Sequence, residues 1–125
     1  MIDADRFRSL LEDERAQAAG LVSSLRADIA SAEASRRGVR VDEQDPEGAA
    51  TIFEISKEAS LLDLQLDHLE EIDAALVRIQ DGTYGSCLEC GNPIPEGRLE
   101  ARPWTGYCID HATRHRPPGQ IRPVA

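Results

Sequence analysis

The chain has 125 residues, a formal net charge of −9, and only two Phe, two Tyr and one Trp. That length bounds it to one domain, or to a small globule carrying an extended element, and the aromatic content is too low for a large core. The acidic balance disfavours general nucleic-acid binding, because such a surface repels phosphate.

No apolar run is long enough to cross a bilayer, and the polar, acidic start Met-Ile-Asp-Ala-Asp does not read as a signal peptide. Three cysteines, an odd number at ligand spacing, suit a reducing compartment, so the expectation is a cytoplasmic protein without membrane contact. Charge is uneven along the chain. Residues 1–86 carry 9 basic and 19 acidic side chains, whereas residues 87–125 carry 5 and 4. Positive handles are therefore concentrated toward the C-terminus, at Arg98, Arg102, Arg114, Arg116 and Arg122.

From Asp3 to Arg37 the sequence predicts one long helix, free of proline. Leu11, Ala18, Leu25 and Ala32 recur every seven residues with Val22 and Ile29 between them, a narrow coiled-coil seam. Phe7 and Leu10 are candidates to pack at its base, and Gly38 is a helix stop. A short polar connection follows. Asp45-Pro46 then opens a second helix, with Asp45 in the N-cap slot and Pro46 at the first helical position. Its seam is stronger: Ile55, Leu62, Leu69 and Leu76 at seven-residue steps, interleaved with Ile52, Ala59, Leu66, Ile72 and Ile79, up to a stop at Gly82. So short a connection favours an antiparallel hairpin within one chain, and hence a monomer, over a parallel dimer. Within this plan, a charge placed at Leu62 or Leu69 collapses the rod, whereas Asp67→Ala is nearly silent.

Past the hairpin, Cys87-Leu-Glu-Cys90-Gly91 and Cys108-Ile-Asp-His111 form two ligand pairs separated by seventeen residues. This is the spacing of a structural zinc site. Each pair brings two donors to one ion from a tight turn, and four protein ligands leave no position for water. The cofactor expected is one structural zinc ion, Zn2+, held by Cys87, Cys90, Cys108 and His111, with His115 as an alternative fourth ligand. Two other readings of the cysteines stay open: a redox pair at Cys87 and Cys90, which lacks a surrounding βαβ pattern, and simple buried apolar residues.

The stretch Asp81-Gly-Thr-Tyr84-Gly85, Cys87-x-x-Cys90-Gly91, Ile94-Pro, Arg98-Leu-Glu-Ala-Arg102-Pro103 and Cys108-Ile-Asp110 resembles the zinc-finger region of the DksA/TraR family. The resemblance implies a mainly α fold: a long antiparallel two-helix coiled coil over residues 1–82 with its tip at 38–48, then a small zinc-ribbon-like finger over 83–116. Pro117-Pro118-Gly119 and the lack of apolar periodicity predict only a short C-terminal helix and a flexible tail at 117–125, in place of the longer C-terminal helix that the resemblance implies. It further implies a non-enzymatic partner of bacterial RNA polymerase. The rod of such a factor enters the secondary channel with acidic residues at its tip, and its globular end meets the rim.

Two departures from that family are visible. The fourth ligand is His111 where the family commonly has cysteine. The family tip reads Asp-x-x-Asp-x-Ala, and two alignments onto this chain compete. Asp42-Glu-Gln-Asp45 preserves both acids but sets Glu47 at the Ala position; Asp45-Pro46 as the first acid sets Gly48 at the second and Ala50 at the Ala. The second alignment is preferred, which makes Asp45 the retained tip acid and leaves Asp42 a loop charge. At the base, Arg98 and Arg102 would face the polymerase. The alternative function is a zinc-finger adaptor whose acidic rod holds another protein. A DNA-binding finger is disfavoured by the lack of a helix dense in Lys and Arg, and a hydrolytic zinc enzyme by the filled ligand set.

Overall fold

The computed structural model describes residues 2–38 and 46–112. Four helices follow in chain order: α1 Ala4–Gly38, α2 Pro46–Asp81, α3 Glu96–Ala101 and α4 Ile109–Ala112. With 35 and 36 residues, α1 and α2 are each about 50 Å long at ~1.5 Å rise per residue. They pack on each other as the antiparallel hairpin that the two seams predict.

Local chemistry sets the helix ends. Asp3 accepts from the Arg6 amide through Oδ1 at 3.2 Å, and its carbonyl accepts from the Phe7 amide at 3.2 Å, so Asp3 caps α1. At the far end of α2, Thr83 N donates to Arg78 O at 2.9 Å and Gly82 N to Ile79 O at 3.3 Å. This is the Schellman pair of bonds, and it needs the left-handed turn that Gly82 supplies at φ 80°. The α2 stop thus falls where the sequence places it. The helix α1 ends on Gly38, one residue beyond the expected end at Arg37.

The seam is buried unevenly. Phe7, Leu11 and Ile72 are 0% exposed, and Ala75 and Ile79 join them at the base of the hairpin. Toward the tip, Leu25, Ile29, Ile55, Ala59 and Leu62 are half-buried. Two helices alone leave most of the seam open on its flanks, Val22 at 6% exposure being an exception; a third layer closes the base, where the finger packs. Two expectations are corrected, because a two-helix seam covers only the side that faces its partner: Leu10, a candidate to pack at the base, and Ile52, a step of the seam, are each 38% exposed. Asp67 is half-buried, not on the open face.

One apolar cluster runs through both parts of the molecule. It joins Phe7, Leu11, Ile72, Ala75 and Ile79 of the hairpin to Cys87, Ile94 and Leu99 of the finger. Among the described residues the finger has no strand; an isolated antiparallel bridge pairs Ser86 with Pro93. The connection carrying Asp42 and Asp45, and the tail with His115 and residues 117–125, lie outside the described residues.

Candidate metal centre

The first ligand turn is built by its own backbone. Gly91 N donates to Cys87 O at 2.9 Å, with Gly91 at φ 75°, and Cys87 N donates to Asn92 O at 2.8 Å. Leu88 N reaches across to Gly106 O at 2.8 Å, which ties this turn to the segment leading to the second. There, His111 N and Ala112 N both donate to Cys108 O, at 3.1 and 2.9 Å, so Cys108 opens α4 and His111 stands one turn on.

The result brings one donor atom from each of Cys87, Cys90, Cys108 and His111 to within 4.8 Å of the others. Cys90 Sγ lies 3.9 Å from Cys108 Sγ, Cys87 Sγ lies 3.7 Å from His111 Nδ1, and Cys108 Sγ lies 3.0 Å from the same nitrogen. Tetrahedral zinc with its usual bond lengths separates two sulfurs by about 3.8 Å and a sulfur from a nitrogen by about 3.6 Å. The Cys90–Cys108 and Cys87–His111 separations match these values and the Cys108–His111 one is shorter, so three thiols and one imidazole are gathered closely enough to hold a structural zinc ion with no open position. Burial pushes the Cys87 thiol up, but the backbone N–H groups of Cys108, Cys90 and Glu89 outweigh it and lower the value to about 6. A thiol poised to ionise is a ready metal ligand. With Nδ1 turned inward, Nε2 of His111 is left to carry the imidazole proton.

Apolar and aromatic side chains seat the finger on the hairpin, joined by several contacts that the sequence does not single out. Leu99 is fully buried and Pro103 is buried. Trp104 packs edge-on against His68 of α2, ring centroids 4.5 Å apart, and Tyr84 Oη donates to Pro103 O at 2.8 Å. Burial raises the Tyr84 hydroxyl to about 12, so it remains a neutral donor. Sequence reasoning missed Arg6, which reaches Glu100 at 2.8 Å and Glu96 at 3.5 Å on α3. It also missed Ile2, whose side chain packs against Gly85, a position at φ 92° where a Cβ would collide with it. No periodic signal marks either residue.

Comparison with known proteins agrees with this picture. The profile of the prokaryotic dksA/traR C4-type zinc finger matches residues 82–116. An uncharacterised protein of Aquifex aeolicus is 53% identical over 49 residues, which are 39% of this chain and 34% of that protein. The RNA polymerase-binding transcription factor DksA of Caulobacter vibrioides is 45% identical over 53 residues, 42% of this chain and 37% of that factor. The matched stretches thus span only about a third of these curated relatives (34% and 37%). The solved structure of transcription factor DksA2 from Pseudomonas aeruginosa extends the likeness to rod and finger together. It superposes with a TM-score of 0.74 at 32% identity and covers 89% of this chain and 81% of that one.

This chain belongs to the DksA/TraR family. Within that family's C4-type finger it carries three cysteines and His111. The two candidate polymerase-facing arginines stand in different surroundings. Arg98 is half-buried; its Nε donates to Tyr107 O at 3.0 Å and its Nη2 lies 3.4 Å from Thr105 Oγ1, so its head group braces the finger internally. Arg102 is exposed and acts on Glu71 of α2 at long range.

Glu71 is half-buried at this junction. Desolvation pushes its carboxyl above the ordinary value of 4.5 and Asp67 adds to the rise, while His68, Arg102 and Arg78 pull it down. A raised folded-state value means that the folded chain holds the proton more tightly than the unfolded one. The contribution of Glu71 to stability is therefore complete below pH 4.5 and is lost as pH rises through the folded-state value. Glu71→Gln should melt above the wild type at neutral pH, with the advantage disappearing on acidification below pH 4.5. Half-exposure and solvent screening keep the gain under about 1 kcal/mol. Thermal melts of both proteins across that range check this; a gain that persists at acid pH would separate it from the Glu71 charge.

Proposed function

We propose that this protein binds bacterial RNA polymerase and modulates transcription by placing the tip of its coiled coil in the secondary channel, without reading DNA sequence. The observation that carries the reading is the likeness to DksA2 over 89% of the chain, which includes both the rod and the finger that seats it. The net charge of −9 supports action on a protein over action on phosphate. Such a factor works by contact and not by catalysis, as one chain, in the cytoplasm where its partner is found. Core RNA polymerase immobilised on beads should retain the zinc-loaded protein, and a transcript-cleavage factor that enters the same channel should displace it. Retention of some other protein in place of the polymerase would favour an adaptor role instead.

At the tip, Asp45 is the acid proposed to act, and the sequence also offers it as the N-cap of the second helix. Asp45→Asn keeps a good cap and removes only the charge. It should weaken the effect on transcription while leaving polymerase retention intact. Unchanged transcription with Asp45→Asn, together with lower stability in Asp45→Ala, would reduce Asp45 to a cap.

At the base, DksA-type members use cationic side chains to hold guanosine tetraphosphate against the polymerase. Arg102 retains one of these positions, but Glu71 and Ala112 stand where the others carry lysine. The Arg102 charge here is met in part by the Glu71 carboxylate. A highly charged nucleotide depends on charge-assisted bonds, and this surface offers it a carboxylate and a methyl instead. Adding the nucleotide to a reconstituted assay with the cognate polymerase should leave the factor's effect unchanged. Synergy that Arg102→Ala abolishes would refute this.

A further inference from the structure

The last turn of α2 does more than end a helix. The carbonyl of Arg78 accepts the Thr83 and Tyr84 amides at 2.9 and 3.2 Å, which turns the chain into the finger. The side chain of the same residue reaches the finger's far loop, where Nη2 donates to Trp104 O at 3.3 Å. Gly106 leaves room for this. A Cβ there would lie 3.4 Å from the Arg78 Cζ and Nη2, and 2.8 Å from Leu88 Cδ1. Tyr84, six residues beyond Arg78, holds the neighbouring carbonyl of Pro103 at 2.8 Å. Two adjacent carbonyls of one loop are thus gripped from one helix end. On the opposite side, Arg6 of α1 holds α3.

The geometry points to Arg78 and Tyr84 as positioning residues that set the angle of the finger on the rod, and through it the place of the rod's tip. The rod is a lever. Over about 50 Å, a tilt of about 10° at the base displaces the far end by about 9 Å. The seam holds α1 to α2, and the packing that joins finger to rod, the shared apolar cluster and the Trp104–His68 contact, is non-directional and resists separation more than rotation. The grip adds directional bonds to backbone carbonyls, which tolerate little rotation. The transcriptional consequence rests on the proposed function above; the angular role does not.

The test uses the full-length, zinc-loaded chain. Nitroxide labels attached through ketone-bearing residues at Glu54 on α2 and at Gly97 on α3 leave the cysteines untouched. Gly97 has open space around its Cα, so a label there disturbs no neighbour. The wild type should give one narrow distance distribution by pulsed electron spin resonance. Arg78→Met and Tyr84→Phe should each broaden or shift it, with zinc content and helicity unchanged. A distribution as narrow and centred as the wild type's in Arg78→Met would overturn the proposal. Should Arg78→Met fail to fold, Tyr84→Phe decides the matter by the same criterion. With polymerase, the variants should keep retention within about twofold and lose about tenfold of the effect on transcription, as expected when a site is present but misplaced. If the wild type itself shows no polymerase effect, the proposed function fails while the distance measurement still tests the joint.

Discussion

Replacing Cys87 by Ser should abolish stoichiometric zinc binding and loosen the base of the coiled coil together with the finger. Cys108→Ser should lose the metal too, since each cysteine supplies one of four donors. A finger this small has no sufficient core of its own, so the binding free energy of the metal is its folding free energy. From the seam alone, the rod would be expected to keep much of its helicity without metal, because the ligands lie outside the heptads. The fold narrows that expectation. Cys87 is 2% exposed and belongs to the cluster that holds Phe7, Leu11 and Ile79. Metal loss should therefore release the first turns of α1 from α3, while the distal rod stays helical. Metal analysis gives the stoichiometry and amide exchange resolves the pattern. Protected finger amides in metal-free protein would contradict it, and full affinity in His111→Ala with loss in His115→Ala would reassign the fourth ligand.

Leu11→Ala should cost about 2–5 kcal/mol, as expected for a fully buried leucine that leaves a cavity. For a domain of this size that lowers the melting temperature by roughly 10 °C or more. Leu62→Ala, at an equivalent heptad position, should cost only about 1 kcal/mol, because its side chain is half-exposed and the site can collapse. The two residues look alike in sequence, each an apolar step in a seven-residue repeat. Their difference comes from the finger, which covers one end of the hairpin and not the other. Calorimetric melts of the two variants measure it. Equal losses would mean that the rod is uniformly packed and that the finger adds no burial at the base.

The legible part of this protein is local. A seven-residue period fixes which face of each helix meets the other, whatever lies elsewhere in the chain. Gly82 and Pro46 mark helix ends through the backbone preferences of single residues. Cys87 and Cys90, like Cys108 and His111, are three apart, a distance that one turn of backbone closes by itself. These signals determine the hairpin and the ligand set, and the family's motif adds how the two parts are joined.

What the tertiary structure decided lies between residues far apart in sequence. Tyr84 meets Pro103 across 19 residues, Arg78 meets Trp104 across 26, and Arg6 meets Glu100 across 94. No period or spacing links such pairs, because they come together only when the finger folds back on the hairpin. The same docking turned Arg98 from an expected surface charge into an internal brace. It also placed one metal ligand, Cys87, inside the core that closes the rod. Burial depends on what covers a residue from every side; the sequence specifies only the side that its own helix presents.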